Sequence, residues 1–376
     1  MFLLSTICWF SLAGVIYAYI GYPLMLYILT AIVPNRNADS GSAFEQAVSL
    51  IIPAHNEGEI LEKKIGNTLE LQFPEEKLEI LVISDGSTDN TRDIVRQYSE
   101  RIMFYELKQR KGKAAALNLG LQRATHDIIV FSDASIMLKA DALQNLVSRF
   151  STPHIGCVSG EDHIEGSSGE GLYGRYELFL RNLESKLYSI VGASGSFYAQ
   201  RKSLCRPFEE GLAPDFLSVL NTVEQGYIAV TEPSAVGTMS VVKETKDEFA
   251  RKVRTLVRGM TALFKKAVLL NPMKYPLFAF TLGSHKVVRW MVPFFLILLL
   301  ISTLLLTGHP FYQLLFTLQA IFYSLGIFSM FKVKFLQESI LGKIPQYFLL
   351  VNLAILVAWW KYLRGIRQEI WIPSKR

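Results

Sequence analysis

Two stretches without a single Asp, Glu, Lys or Arg, 1–35 and 290–331, bracket a middle section in which short apolar runs alternate with amphipathic ones. Length separates the two kinds, because a membrane-crossing helix needs about 20 apolar residues and a buried strand only about 4 to 8. The first stretch predicts a transmembrane helix over 1–34. It lacks the basic start of a cleavable secretory signal, whose apolar core runs to about 15 residues at most, so the helix is expected to be retained. Gly21 and Pro23 interrupt it, as membrane helices tolerate. The second stretch accommodates two helices with a tight turn at Gly308-His309-Pro310. A third apolar run, Ile344 to Trp360, lies between Lys343 and Lys361 at the short end of spanning length. These runs define a C-terminal transmembrane region, 285–363, and a basic tail, 364–376. An external N-terminus and four full spans would leave Lys361, Arg364, Arg367, Lys375 and Arg376 outside, against the positive-inside bias. The last run is therefore expected to be re-entrant or interfacial.

Between the apolar ends, Asn35 to Ser42 has a linker composition, and a soluble domain is expected over 44–243. Val48 to Pro53, Leu78 to Ser84 and Asp127 to Ser132 read as buried strands. Helical spacing follows at Ile60, Leu61, Ile65 and Leu69, then at Asp89 to Tyr98, Ala114 to Arg123 and Ala140 to Phe150. Alternating strands and helices predict an α/β, Rossmann-like domain with a mainly parallel sheet covered on both faces. Ligands of such sheets gather beyond the carboxyl ends of the strands, where Pro53 to Glu57, Asp85 to Thr88 and Asp133 to Ser135 lie. Over 245–272, Phe249, Val253, Leu256, Val257, Met260, Leu263 and Phe264 fall at helical spacing against Arg251, Lys252, Arg254, Arg258, Lys265 and Lys266. This predicts an amphipathic basic helix in the headgroup plane, with an ordinary surface helix as the alternative.

The formal charge of +6 changes little. Basic residues crowd beside apolar stretches, which fits anionic lipid headgroups, and nucleic acid is not expected as a partner. Cys8, Cys157 and Cys205 are scattered without a CxxC pair, so neither a disulfide framework nor a zinc site is indicated.

No GxGxxG joins the first strand to its helix, and no GxxxxGK[ST] is present, which disfavours dinucleotide-dependent chemistry and a phosphate-binding P-loop. Instead the first strand runs into Pro53-Ala54-His55-Asn56-Glu57 and the second into Ser84-Asp85-Gly86-Ser87-Thr88-Asp89. Asp85 can accept hydrogen bonds from a base or ribose hydroxyl, and Gly86 lets backbone approach closely, while Asp89 and Ser87 read as helix caps. Lys111-Gly112-Lys113 places a cation at a helix N-terminus, a combination suited to phosphate. Asp133 can help hold Mg²⁺ or Mn²⁺ against a diphosphate, or cap the next helix. A carboxylate such as Asp215, after Pro214, can draw the proton from an acceptor hydroxyl, or again cap a helix.

The series Ile52-Pro53-Ala54-His55-Asn56-Glu57, Ser84-Asp85-Gly86-Ser87-Thr88-Asp89, Gly112-Lys113-Ala114, Ser132-Asp133-Ala134-Ser135 and Pro214-Asp215-Phe216 resembles the family 2 glycosyltransferases with a GT-A fold. Cellulose, chitin and hyaluronan synthases belong to that family, and the resemblance covers about 49–236. It implies that Pro53, Ala54, Glu57, Asp85 and Lys113 line the nucleotide pocket, that Asp133 binds the divalent metal through the diphosphate, and that Asp215 is the catalytic base. Ser135 stands where many members carry a second metal-side Asp. Arg251-Lys252-Val253-Arg254 is followed by Thr255 rather than by the Trp of the QxxRW box of processive members, so a stacking ring for an acceptor sugar is missing. Arg251 and Arg254 would hold the diphosphate or face headgroups, and Ser135 would border the same site. Tyr176-Glu177 to Glu184, Gly192-Ala193-Ser194-Gly195, Arg201, Ser284-His285-Lys286, Trp371 and Pro373 resemble the membrane-embedded bacterial branch, with packing or interfacial anchoring as the alternative.

The expectation is a membrane-bound, inverting glycosyltransferase with a cytosolic GT-A domain in a bacterial inner membrane. It would move a hexosyl or N-acetylhexosaminyl group from a nucleotide-sugar, a UDP-sugar first, to a lipid-linked or growing polysaccharide acceptor. The alternative class is a catalytically silent nucleotide-sugar-binding scaffold or transport subunit.

Overall fold

The computed structural model describes residues 1–33, 46–164, 169–240, 245–330, 335–336 and 339–367. The linker expected at Asn35 to Ser42 lies outside them, as do Trp371, Pro373 and the end of the basic tail.

β1 (Val48–Ala54) and β2 (Leu78–Ser84) are almost wholly buried, as their unbroken aliphatic sequences require of strands covered on both faces. With β3 (Met103–Glu106) and β4 (Ile128–Ser132) they form a parallel half-sheet. The second half is mixed. It holds β5 (Met137–Leu138), β6 (Ile155–Ile164), β7 (Phe197–Arg201) and β8 (Ile228–Met239). β7 runs antiparallel to both β4 and β6, β6 and β8 run parallel, and β5 closes the edge, giving the order β3-β2-β1-β4-β7-β6-β8-β5.

The strand period of two sorts side chains into two cores. Val48, Leu50, Ile52 and Ala54 face one with Leu61 and Ile65, while Ile51, Leu81 and Ile83 face the other. That second core does not stop at the sheet. It continues through Phe216 and Leu220 of the helix Pro214–Glu224 into Val253, Val257, Met260 and Leu263 of the helix Thr245–Lys265, and on to Val351, Ala354 and Ile355. The apolar stripe of the amphipathic helix is thus covered by protein rather than turned to acyl chains as expected. Val257 and Met260 are fully buried, and Phe264 stacks on Tyr362 at 5.1 Å.

Among the described residues, four helices are long and apolar enough to cross a membrane: Phe2–Ile32, Pro276–Leu305, Pro310–Met330 and Ile340–Leu363. The last, expected to be re-entrant or interfacial, is one continuous helix of spanning length. Its ends take in Lys343 and Lys361, giving 24 residues of continuous helix, about 36 Å at 1.5 Å per residue. π-helical turns interrupt the first helix at Tyr17–Gly21 and the second at Gly283–Val288, and Tyr17 Oη and Ser284 Oγ join these turns at 2.7 Å. All three cysteines are free.

Candidate functional site

The strand-end loops are laced to one another before any ligand is considered. Asn56 takes a left-handed conformation, φ 51°, which lets its Oδ1 accept the N–H of Thr88 at 2.8 Å. Asp89 accepts from the Gly58 N–H at 3.1 Å and the Thr91 hydroxyl at 2.6 Å, so it caps helices on both loops, as its residue type suggests. Gly86, at φ 61°, lies so close to the next loop that a Cβ there would stand 2.6 Å from the Arg110 nitrogen.

Asp85 is the organiser of the loop before Lys113. Its carboxylate accepts N–H bonds from Lys111 at 2.7 Å and Gly112 at 2.8 Å, and the residue is 1% exposed. The structure therefore directs this side chain into the protein's own backbone, not into the open pocket. Gly112 completes the turn at φ 97°, a conformation costly for side chains, and a Cβ there would strike the Glu210 carboxylate at 2.6 Å. Ala54 is also fully buried, and its carbonyl accepts from the Asp85 N–H at 2.9 Å.

The other predicted residues converge. Pro53, Glu57, Lys113, Asp133, Ser135, Asp215, Arg251 and Arg254 all line one cavity of about 180 Å³ at the carboxyl ends of β1 and β4. The Lys113 ammonium donates to Asp133 at 2.5 Å and to the Gly195 carbonyl at 3.4 Å, so a cation and a carboxylate hold each other at the mouth of the site. Burial, together with the charge of Asp133, pushes the Glu57 carboxyl up to about 7. Burial also lifts Asp215 above its ordinary value, with Lys113 drawing it partly back.

Arg258 lines this cavity as well, and sequence reasoning placed it only on the polar face of the amphipathic helix. Burial lowers the guanidinium pKa of Arg254, and the like charges of Arg258 and Arg251 lower it further. Three guanidiniums crowded in one cavity repel one another, and a polyanion placed among them would relieve that repulsion. The same cavity carries Glu57 and Asp133. Among the described residues no group of three or more His, Cys, Asp or Glu is arranged to hold a metal alone. One or two carboxylates completed by substrate phosphates and water are the usual setting of Mg²⁺, and the donor set here fits that arrangement.

Asp215 also borders a second cavity, of about 190 Å³, on the membrane side. Behind it, His285 sits between two carboxylates, Nδ1 at 2.6 Å from Glu184 and Nε2 at 3.0 Å from Glu177. Tyr22 donates to Glu184 at 2.6 Å, and Arg289 pairs with Glu177. Burial favours the neutral acid at Glu177, but Arg289 and His285 outweigh it and hold the carboxyl well below its usual range. This network ties the helix Gly169–Leu187 of the soluble domain to the membrane helices.

Known proteins resemble this chain in sequence and in fold. Residues 49–206 match the model of a family described as Glycosyl transferase family 2. A poly-β-1,6-N-acetyl-D-glucosamine synthase of Staphylococcus aureus (strain COL) is 31% identical over 137 residues, 36% of this chain and 33% of that protein. The synthase of the same name from Staphylococcus epidermidis is 31% identical over 126 residues, 33% of this chain and 30% of that one. The matched stretch thus spans about a third of the length of these relatives. Among solved structures, a mannosyltransferase from Pyrobaculum calidifontis, in complex with GDP-Man and Mn²⁺, aligns over 96% of this chain and 99% of its own with a TM-score of 0.75. At 23% identity, that likeness is one of fold. The fold is the GT-A type that the sequence motifs imply.

Proposed function

We propose, for a chain that belongs through its residues 49–206 to glycosyl transferase family 2, that it is a membrane-bound inverting glycosyltransferase. It uses a nucleotide-sugar donor, a UDP-sugar in the first instance, and a lipid-linked or growing polysaccharide acceptor. The observation that carries this reading is that Asp133 and Asp215, 82 positions apart in sequence, line one cavity together with Lys113 and three arginines. One carboxylate is placed beside cations for the donor phosphates. The other is placed where that cavity meets a second one opening toward the membrane helices.

Asp133, with Glu57 near it, would hold a divalent cation, Mg²⁺ or Mn²⁺, which when bound neutralises the leaving diphosphate. Lys113 and Arg251, Arg254 and Arg258 bind the same diphosphate and orient it. Asp215 takes the proton of the acceptor hydroxyl. The acceptor oxygen then bonds to the anomeric carbon as the bond to the diphosphate oxygen breaks and the nucleoside diphosphate leaves with that electron pair. A base whose pKa burial has raised is a stronger proton acceptor than an ordinary Asp. Pro53 and the Asp85-pinned loop fix the walls against which the nucleotide lies. The domain is assigned to the cytosol and the chain to a bacterial inner membrane, as the membrane-spanning helices and the synthase relatives support.

The test is a screen of radiolabelled nucleotide-sugars with the purified full chain in detergent and Mg²⁺ or Mn²⁺. Divalent-dependent turnover of at least one donor is expected. Binding of nucleotides without turnover of any donor, in the presence of membrane lipid extract, would instead mark a silent scaffold.

A further inference from the structure

A charged residue interrupts the apolar stripe of the helix Gly58–Leu69, where Leu61, Lys64, Ile65 and Thr68 form the buried face. Lys64 is 0% exposed, and its ammonium donates to the Ile136 carbonyl at 2.8 Å. Among the described residues no carboxylate pairs with it. Asn67, one turn further along the same face, gives Nδ2 to the Leu138 carbonyl and accepts the Leu138 N–H on Oδ1, both at 2.8 Å. β5 ends the sheet, with β8 on its other side, so the Asn67 amide stands in for a next strand.

Both side chains grip the turn that presents Asp133. That turn is closed by the Ile136 N–H on the Asp133 carbonyl at 3.4 Å, and the Asp133 N–H is held by the Ser196 carbonyl at 2.9 Å. Holding Lys64 there is unfavourable in itself. Burial strips the ammonium of its hydration and pushes its pKa down to about 7, with the charge of Asp133 drawing it partly back. A methionine would fill similar space without that penalty, and an unfavourable group that persists points to a use for it.

The use lies at the two ends of this contact. Glu57 is the N-cap residue of the helix that carries Lys64, and Asp133 opens the turn that Lys64 holds. The two carboxylates line one cavity and are near enough for Asp133 to raise the Glu57 carboxyl. A small divalent cation demands near-ideal ligand positions, at about 2.0 to 2.1 Å for Mg²⁺, so its binding depends on how firmly such a pair is spaced.

We infer that Lys64 is a positioning residue for the cation site: by fastening the helix that follows Glu57 to the turn that begins at Asp133, it fixes the gap between the two carboxylates. Asn67 is the second fastening, at the far end of the turn. This rests on the donor reading above and adds to it a residue that touches neither cation nor nucleotide.

The test is calorimetric titration of UDP and of GDP, each with and without Mn²⁺, into the full chain in detergent. Wild type, Lys64→Met, Asp133→Ala and the double variant are compared. In Lys64→Met, metal-free nucleotide affinity is expected to stay within about twofold of wild type, while affinity with Mn²⁺ falls about tenfold or more. Where Asp133 is already replaced, Lys64→Met is expected to change neither affinity further. Equal losses with and without Mn²⁺, or a further loss in the Asp133→Ala background, would mark a general packing defect and overturn the proposal. An undiminished Mn²⁺ effect in Lys64→Met would overturn it too. If Lys64→Met does not fold, Asn67→Ala is judged by the same outcomes. A wild-type chain that binds neither nucleotide more tightly with Mn²⁺ would sink the donor reading and this inference together, whereas the other adverse outcomes sink this inference alone.

Discussion

The Lys113 ammonium and the Asp133 carboxylate stand 2.5 Å apart at the mouth of the donor cavity, each partly neutralising the other. On the proposed reading, a donor diphosphate with its divalent cation would separate the pair, Lys113 turning to phosphate oxygens and Asp133 to the cation. Asp133→Ala leaves Lys113 and the arginines in place, so metal-free nucleotide binding should persist or tighten slightly. The extra affinity conferred by Mn²⁺ or Mg²⁺ should disappear. Calorimetric titration of UDP with and without the metal checks this; an unchanged metal effect in the variant would remove Asp133 from the cation site.

Asp215 makes a second prediction, because it touches both cavities and its carboxyl is lifted by burial. Asp215→Asn should lower turnover by about 10²- to 10⁴-fold, the usual contribution of a positioned base, and leave donor affinity within about twofold. In the wild type the base works only when ionised, so activity should fall on the acid side at a pH above the ordinary Asp value of 3.8. A pH profile of kcat/KM and a donor titration of the variant are the measurements, and full turnover in Asp215→Asn would refute the assignment.

The place of Asp133 was legible because strand-end position is encoded locally, in an aliphatic run followed by a short polar turn, whereas Asp215, in the first turn of the helix Pro214–Glu224, was placed by the family resemblance. Arg258 was legible in neither way. Helical spacing put it on the polar face of the amphipathic helix, and that signal is the same for a guanidinium meeting headgroups as for one meeting a diphosphate. Which applies depends on what covers the apolar face, and here Val351, Ala354 and Ile355 do so from about 90 residues further along the chain. Asp85 shows the converse. The sequence marked it as a ligand-facing carboxylate, yet two backbone N–H groups some 26 residues away claim it, a contact no local period reveals.

Glu57 predicts a conflict between stability and function. Its carboxyl is raised from 4.5 to about 7, so the folded chain keeps a proton that the unfolded chain has released between those values. The stability that this group confers is complete below pH about 4.5 and is lost as pH rises through about 7. Glu57→Gln never meets that loss. Its unfolding free energy in detergent should match the wild type near pH 4.5 and exceed it increasingly up to pH about 8, by about 1 to 3 kcal/mol once partial exposure is allowed for, with the unfolding midpoint rising accordingly. Nucleotide affinity with metal should fall in the same variant, since a buried carboxylate kept at a cost is kept for the ligand. A gap in unfolding midpoint that narrows as pH rises would show that the carboxyl is not destabilised in the fold.

The last prediction concerns the joint between the catalytic domain and the membrane helices. Glu177 pairs with Arg289 and with His285, and Arg289 is left with Tyr173 Oη at 3.2 Å once Glu177 is neutralised. Removing one partner of a buried pair strands the other, which typically costs about 3 to 5 kcal/mol, whereas replacing both by apolar residues is often close to neutral. Glu177→Leu should therefore lower the unfolding midpoint sharply in detergent, and Arg289→Leu likewise. The double variant should lose less than the sum of the singles, a positive coupling of about 1 to 3 kcal/mol. Because neither residue lines the donor cavity, UDP binding should survive in the double variant. Additive losses would mean that the two side chains act independently, and that other contacts, such as Tyr22 with Glu184, carry the attachment of the domain to its anchor.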